Sequence, residues 1–426
     1  MRYEKGKIFL EKGGKCPLLY DFFLWGTFLS CVINLFNRET FFIWQIELMV
    51  LLAVLYDIKK TFSTFIHFVK RNYILTISFL IWFAVALLST SIIISIRVLS
   101  IYLIIFFGYL FAEKVDINGL EKSFKRFVLM IAMFSIFGII CYAINYNPLV
   151  LISSIAQDYL ERTERLIAIW LHPIPAACFL GAMLIFSAYY HSGLRRLLIF
   201  AISIIAILFT QTRSMWVILL LLLIVCNLKK IFLFFKNKCT VKKQKLIMFL
   251  SVVALIVIFC VLFYNSVLYA IGFIHERLFG QNLDSDMSFT WRMNSILTIL
   301  KKSFTGDLLG LLFGHGMFSG SNLLGGMNFG SKFSYNVGAV DNSFISALYD
   351  FGLLGLIWLI LCLVWAIKLM LSSKKTLCSK AVSTTLVMLL LMSLFFEELY
   401  WCNISFVVFT LIGIELNISK KEVKKI

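Results

Sequence analysis

The sequence predicts an all-α fold, that of a polytopic integral membrane protein with about twelve transmembrane helices and one large outer loop near the C-terminus. Three observations lead to this prediction. Of the 426 residues, 61% are hydrophobic. Apolar stretches of about 20 residues, the length of a helix that crosses a bilayer, recur along the whole chain. Basic residues are concentrated in alternate connecting segments.

The predicted spans are apolar runs bounded by polar or charged residues. Their approximate bounds are 18–36, 40–56, 73–91, 92–112, 127–145, 169–190, 197–210, 214–228, 246–270, 351–371, 381–396 and 400–416. The chain then divides into three parts. Residues 1–270 form an N-terminal bundle of about nine spans, 271–350 a large outer loop with amphipathic helices, and 351–426 the last three spans and a cytoplasmic tail.

The distribution of positive charge predicts the orientation in the membrane. A cytoplasmic N-terminus would place 30 of the 40 Lys and Arg residues in cytoplasmic segments, as the positive-inside rule requires. We therefore expect a multi-pass membrane protein with both termini in the cytoplasm. The formal net charge of +18 is then mostly a topology signal. Nucleic-acid binding would need these charges on one soluble face, so no nucleic-acid partner is expected.

The ten remaining basic residues differ in kind from the other thirty. Seven of them are Arg, against five of the thirty on the predicted cytoplasmic side. They are Arg38, Arg97, Arg162, Arg165, Arg213, Arg277, Arg292, Lys301, Lys302 and Lys332. Arginine carries a planar fork that suits bidentate contact with phosphate or carboxylate, whereas lysine is a hydrated point charge. The arginine content therefore predicts an anion-binding site in the outer half of the protein.

Three of these arginines come from distant parts of the chain and fall near one predicted membrane surface. Arg97 begins the fourth span, Arg213 lies in "FTQTRSMW" at the outer turn between two spans, and Arg292 lies in the amphipathic stretch "SFTWRMNSILTIL". A charge inside the membrane is costly and usually faces a partner. The alternative is that each side chain snorkels to the interface or pairs with an outer carboxylate.

The long outer segment contains a glycine-rich, charge-poor stretch, "GDLLGLLFGHGMFSGSNLLGGMNFGSKFSYNVGAVDNSF". Such composition predicts tight turns or close backbone approach, and loops of this length are often functional. His315, in "GHG", is a candidate acid or base. The simpler interpretation is an interfacial histidine that makes one hydrogen bond.

Asp341 and Asn342 stand directly ahead of a predicted helix that becomes the tenth span. Asp or Asn at this position can cap the first turn, a purely structural role. The functional alternative is a carboxylate held at the membrane surface, where it accepts a proton from a sugar hydroxyl. Glu397 and Glu398 are lesser candidates for this base, and an ordinary solvated turn is the more natural interpretation of that pair.

The ten cysteines include no CxxC pair and no Cys/His cluster. Neither a disulfide framework nor a zinc site is predicted, and no metal or cofactor is expected.

Four motifs, in order along the chain, resemble the O-antigen polymerase and O-antigen ligase superfamily. They are "ERLIAIWLHPIPAACFLG", "FTQTRSMW", "WRMNSILTIL" leading to "LFGHGMF", and "DNSFISALYDFGLLGL". The resemblance covers about residues 97–360. It implies a metal-independent glycosyltransferase of the GT-C type in the bacterial cytoplasmic membrane, acting on sugars carried by undecaprenyl diphosphate.

The resemblance also assigns residues to roles. Arg213 matches the arginine of a T-x-[ST]-R-[SG] turn, Arg292 the arginine that opens the large outer loop, and Arg97 an arginine at the outer end of an early span. With Arg165, in the first motif, these are the candidates for binding diphosphate. Asp341 is the first candidate for the catalytic base and His315 the second.

The resemblance leaves two sister activities open. Ligases carry His in an H-N-[ST]-x-x-L pattern, whereas many polymerases carry D-N-[ST], as this chain does at Asp341. We therefore expect a polymerase with lipid-linked donor and acceptor oligosaccharides as partners, working with a chain-length regulator and a flippase. A ligase that transfers polysaccharide to lipid A core is the alternative. A lipid-linked sugar transporter is an alternative of another class, although no repeated halves are visible in the sequence.

Overall fold

A computed structural model describes residues 21–36, 58–151, 165–236, 287–325, 340–373 and 375–423. This part of the chain is helical and contains no strand. Its α-helices are α1 (Phe22–Phe36), α2 (Ile58–Arg71), α3 (Tyr73–Ser89), α4 (Ile92–Lys114), α5 (Ile117–Ala143), α6 (Pro173–Tyr190), α7 (Gly193–Thr210), α8 (Arg213–Lys236), α9 (Met287–Thr305), α10 (Leu308–Phe313), α11 (Ser319–Gly325), α12 (Ser343–Leu371), α13 (Leu377–Met392) and α14 (Cys402–Val423). Short 3-10 helices cover Pro148–Leu151, Ala168–Trp170 and Glu398–Tyr400.

Six of these helices are long and apolar enough to cross a membrane, namely α4, α5, α6, α7, α12 and α14 over Cys402–Ser419. The pair α2 and α3, bent by 95° at their junction, gives at most a seventh. The chain is therefore an all-α, multi-pass membrane protein. Ten predicted spans coincide with helices, while 40–56 and 246–270 lie outside the described residues. The count of twelve spans and the three-part division stay predictions.

Helix α14 is the centre of the bundle. A Cβ atom added to Gly108 of α4 would lie 2.3 Å from the carbonyl oxygen of Thr410, and one added to Gly413 would lie 2.0 Å from the carbonyl oxygen of Ile105. Only glycine permits the two backbones to approach so closely. One turn nearer the start of α14, the ring of Phe406 lies 5.5 Å from that of Phe22 in α1.

The starts of α4, α6, α8, α12 and α14 gather at one end of the bundle, here called the site end. The Leu166 amide donates to the carbonyl of Phe209 at 3.0 Å. The Ser343 amide, at the start of α12, donates to the carbonyl of Ser393 at 2.8 Å. These bonds join segments from distant parts of the sequence at the site end.

Helices α9, α10 and α11 pack on the first part of α12, which is kinked at Gly352. Gly352 has φ +68° and ψ −169°, a conformation that essentially only glycine adopts. The kink frees the carbonyl of Phe351, which accepts a hydrogen bond from the Trp82 indole of α3 at 3.2 Å. The sequence predicted a span starting at residue 351, whereas the helix starts at Ser343. The difference arises because α12 has a less apolar first segment ahead of the kink.

Residues 58–71, predicted to be a connecting segment, form helix α2. One side of this helix is held by aromatic packing. Phe65 lies 5.0 Å from Phe106, and Phe68, which is fully buried, lies 5.2 Å from Tyr109. The four basic residues of this segment led to the prediction of a loop, but tertiary packing stabilises it as a helix.

Candidate functional site

Two predicted site residues, Arg292 and Asp341, form an ion pair at the site end. The Arg292 Nε donates to Asp341 Oδ2 at 3.0 Å. Arg292 belongs to α9, and Asp341 lies directly ahead of α12. The Asp341 side chain is 16% exposed and the Arg292 side chain 38%. The pair is thus partly shielded from water but still reachable from the surface.

Asp341 does not cap α12. The N-cap is Asn342, whose side-chain oxygen accepts from the amides of Phe344 and Ile345 at 3.0 and 3.1 Å. Asp341 instead has φ +54°, in the left-handed region that non-glycine residues seldom occupy. Such a conformation costs roughly 1 kcal/mol or more and is common at functional sites. Asn342 is therefore the residue that caps α12, and the Asp341 carboxylate has no capping role.

Burial raises the pKa of Asp341, and this effect exceeds the opposite effect of the neighbouring Arg292 charge. A carboxylate with a raised pKa is a stronger base than an exposed aspartate. Its Oδ2 accepts from Arg292, and no other hydrogen bond in the described part of the chain occupies Oδ1. The position therefore provides a basic oxygen held in a fixed direction by an arginine.

Glu397 braces the segment that carries Asp341. Its side chain is 6% exposed, accepts from the Val340 amide at 3.3 Å, and accepts from the Ser346 hydroxyl. Burial raises the pKa of Glu397 to about 8, and the charges of Asp350 and Asp341 add to this rise. The interpretation as a solvated turn was wrong for Glu397. The side chain of Glu398 lies outside the described part of the structure.

The raised pKa of Glu397 predicts that stability depends on pH. The folded protein holds this proton up to about pH 8, whereas the unfolded chain releases it near 4.5. Its contribution is therefore fully present below about pH 4.5 and is lost as the pH rises through about 8. We expect the unfolding temperature of purified protein to fall across this interval, and Glu397→Gln to flatten the slope. Glu121→Gln, at a partly exposed carboxylate, is the matched control. An unchanged slope in Glu397→Gln would contradict the assignment.

Asp350 links α11 and the segment between α13 and α14 to α12. This residue was not among those predicted from the sequence. This buried carboxylate accepts from the amides of Phe318 and Gly320 at 2.7 and 2.8 Å and from the Tyr400 hydroxyl at 2.8 Å. Arg97 lies beside the same loop, with its guanidinium carbon 5.1 Å from the centre of the Phe318 ring. A carboxylate next to a long apolar run was the available signal, because such groups need partners.

His315 lies in a different part of the site end. Its Nδ1 is 3.2 Å from the Tyr349 carbonyl, its ring stacks on Tyr349 at 4.4 Å, and its Nε2 is 3.6 Å from Asp307. These residues line an open cleft of about 960 Å³ beside the end of α3. No side-chain contact in the described part of the chain joins His315 to Asp341 or Arg292. His315, the second candidate base, therefore does not contact Asp341, the first candidate.

The glycines of the "GHG" motif serve close packing. Gly314 has φ +87°, and a Cβ atom added to it would lie 2.2 Å from the carbonyl oxygen of Asp350. A Cβ atom added to Gly352 would lie 2.4 Å from the carbonyl of Leu312. The two backbones interlock, each through a glycine. The close backbone approach predicted from the glycine content is therefore found at this crossing.

Arg165 and Arg213 lie on segments that meet in another part of the site end. The bond between Leu166 and Phe209 sets Arg165 beside the turn that precedes Arg213, the first residue of α8. This turn is linked to the start of α6, where the ring of His172 stacks on Phe396 at 5.2 Å. The predicted arginines therefore share one end of the bundle, and Arg292 is the one paired with Asp341.

Among the described residues, no group of three or more His, Cys, Asp and Glu side chains has an arrangement that could hold a metal ion. No protein-family model matches the sequence, and no curated protein matches it. The resemblance to the O-antigen polymerase and ligase superfamily therefore depends on the four motifs and on the chemistry of the site end.

Proposed function

We propose that this chain is a membrane-embedded glycosyltransferase that polymerises a bacterial surface polysaccharide from repeat units linked to undecaprenyl diphosphate. The observation that carries the proposal is the pair formed by Arg292 and Asp341 at the end of an apolar helix bundle. It combines a cation for a diphosphate with a carboxylate for a hydroxyl proton. Both groups are needed at the bond between the carrier diphosphate and its sugar, where a hydroxyl attacks and the diphosphate leaves.

In the proposed reaction, the acceptor hydroxyl loses its proton to Asp341 Oδ1 as its oxygen attacks the anomeric carbon of the donor sugar. A new glycosidic C–O bond forms, and the C–O bond to the diphosphate breaks. Undecaprenyl diphosphate leaves with the bonding electrons. The raised pKa of Asp341 favours the proton transfer. Glu397 holds the Val340 amide and so acts as a positioning residue for Asp341.

The leaving group needs positive charge when its bond to the sugar breaks. A guanidinium has five N–H donors, and Asp341 engages the one on Nε of Arg292. The remaining donors form the fork that binds phosphate oxygens bidentately. Arg97, Arg165 and Arg213 lie at the same end of the bundle and add positive charge for the carrier. Donors fixed in a site poor in water stabilise such charge more than they would in solution.

If Arg292 binds diphosphate as a fork, Arg292→Lys should fail to rescue activity although it keeps the positive charge. We expect both Arg292→Lys and Arg292→Ala to lower polymer formation by roughly a hundredfold, the effect of losing one fixed donor to a developing anion. Lys301→Gln, at an exposed basic residue on the same helix, is the control. Polymer is measured per unit of membrane-inserted protein. Normal output from Arg292→Lys would count against bidentate binding.

The proposal places the site end on the outer side of the cytoplasmic membrane and both termini in the cytoplasm. The charge distribution supports this orientation, because the predicted cytoplasmic segments hold most of the Lys and Arg residues. Lipid-linked donor and acceptor would reach the site from the bilayer. A flippase would supply them, and a chain-length regulator would be a partner.

A transporter of lipid-linked sugars has one observation in its favour. Glu415, inside the apolar α14, is fully buried and accepts from the hydroxyls of Ser379 and Ser419. Ionisable residues within membrane helices often belong to ion or proton pathways. They also pair structurally with hydroxyls, as here, so this observation weighs less than the ion pair at the site end.

The test is purified protein in detergent, without any gradient, given undecaprenyl-diphosphate-linked repeat units of its host. We expect a ladder of elongated products and release of undecaprenyl diphosphate. In a parallel sample with added lipid A core, transfer only to that core would indicate the ligase. In a parallel proteoliposome sample, movement of lipid-linked sugar without any elongation would indicate the transporter. Either result would overturn the polymerase proposal.

A further inference from the structure

Helix α2 has three distinct faces. The first, with Phe65 and Phe68, packs against α4. The second carries Ile58, Phe62 and Ile66, which are 60%, 62% and 40% exposed. The third is polar and exposed. It includes Lys59, Ser63 and Lys70.

The polar and apolar faces meet along one edge. At 3.6 residues per turn, Lys59 and Lys70 lie within about 40° of Ile66 around the helix axis. Two lysines therefore border the exposed apolar face, about 16 Å apart along the helix. An apolar face bordered by lysines is typical of helices that lie in a membrane interface.

The angle between α2 and α3 decides how α2 meets the bilayer. Helix α3 has 17 residues and no charged side chain, whereas α2 carries four basic residues in 14. At 1.5 Å per residue, α3 is about 25 Å long, close to the thickness of the hydrocarbon core. Because the two helices are bent by 95°, a transmembrane α3 sets α2 in the plane of the membrane surface.

The exposed apolar side chains continue from α2 onto α3. Ile74, Ile77 and Leu80 of α3 are 67%, 52% and 60% exposed, as expected of side chains that face acyl chains. This lipid-facing surface begins three residues after α2 ends. Exposed apolar side chains on two consecutive helices are expected when both helices contact the same leaflet.

We propose that α2 is an interfacial helix that binds anionic phospholipid. Its apolar face, Ile58, Phe62 and Ile66, lies at the acyl-chain boundary of the leaflet. Lys59 and Lys70 extend from the edge of that face to the phosphate groups. Long lysine side chains bury their stems and keep the charge at the headgroups. Basic residues at a membrane surface attract anionic lipid. This inference does not depend on the proposed enzymatic function.

The depth of α2 is tested with single spin labels in lipid nanodiscs. Phe62→Cys and Ser63→Cys are neighbours, both exposed, on different faces, and are labelled in a background without native cysteines. We expect the label at 62 to be accessible to oxygen and shielded from an aqueous nickel complex, and the label at 63 to show the reverse. Equal aqueous access at both positions would overturn the proposal in favour of a water-exposed, protein-binding face. Equal shielding would overturn it in favour of a helix that enters the bilayer.

The lipid preference is tested with spin-labelled phosphatidylglycerol and phosphatidylcholine in the same nanodiscs. We expect intact protein to retain phosphatidylglycerol in preference to phosphatidylcholine. The double variant Lys59→Gln/Lys70→Gln should lose roughly fivefold of this preference per charge removed. The control Lys301→Gln/Lys302→Gln removes two exposed charges from α9. An unchanged preference in the first variant, or an equal loss in the control, would overturn the proposal.

Discussion

Replacing Asp341 with Asn should lower polymer formation by roughly a hundredfold or more while the protein stays folded and inserted. Asn occupies the left-handed region readily, so the φ of +54° is tolerated. The cap on α12 is Asn342, which this substitution leaves in place. What is lost is the negative charge beside Arg292 and the basic oxygen. The measurement is polymer formed per unit of membrane-inserted protein.

Two further variants make this result interpretable. Asn342→Asp keeps a good cap, because Asp and Asn cap helices about equally well, but it loses the side-chain amide that donates to the Leu394 carbonyl at 2.9 Å. Its abundance should therefore fall, while polymer formed per unit of inserted protein stays near normal. Asp341→Ala removes the base and adds backbone strain, so its activity loss should come with lower abundance. Turnover near the normal level in Asp341→Asn would exclude Asp341 as the base and leave it as the residue that orients Arg292.

The second large effect is expected where the backbones of α10 and α12 interlock. Gly352→Ala should remove most of the folded protein from the membrane. A methyl group at position 352 would lie 2.4 Å from the Leu312 carbonyl, and the backbone has φ +68°. The side chain meets backbone atoms, which cannot move aside without separating α10 from α12. Strain and steric overlap each cost roughly 1–3 kcal/mol, so the sum is a large part of a typical unfolding free energy. Abundance and unfolding temperature in detergent measure the effect.

Gly325→Ala is the matched control. Gly325 ends α11, and an added Cβ atom would meet nothing within 4 Å. Ala favours a helix more than Gly does, so this variant should be as stable as the original or slightly more stable. If Gly352→Ala kept its normal abundance and unfolding temperature, the interlock between α10 and α12 would be wrong.

Hydropathy predicted most of the helices because apolar runs of membrane length have few alternatives. Hydropathy failed where tertiary packing determines whether a helix forms and where it starts. Helix α2 was missed because four basic residues hid a side that packs on α4. The start of α12 was placed at residue 351, since the segment ahead of the kink packs on α9, α10 and α11 and is less apolar than the span that follows.

The candidate site was predicted one residue at a time. Residue type and position were enough to select Arg292 and Asp341, but nothing in the sequence could show that residues 49 positions apart form a pair. Glu397 looked like part of a solvated turn because hydropathy does not record that the turn folds over the start of α12. Asp350 gave a signal, a carboxylate beside an apolar run, whose partners only the folded chain supplies.

The central position of α14 has a consequence for the order of assembly. Ribosomes deliver α1 and α4 to the membrane long before α14, yet α14 packs on both of them, with Gly108 and Gly413 pressed against neighbouring backbone. The surfaces of α1 and α4 that α14 covers must therefore stay exposed to lipid until α14 is inserted. Docking of α14 also brings Tyr400 to Asp350. Closure of the bundle and completion of the site end are thus one late event, and a chain interrupted before α14 should be a substrate for membrane proteases.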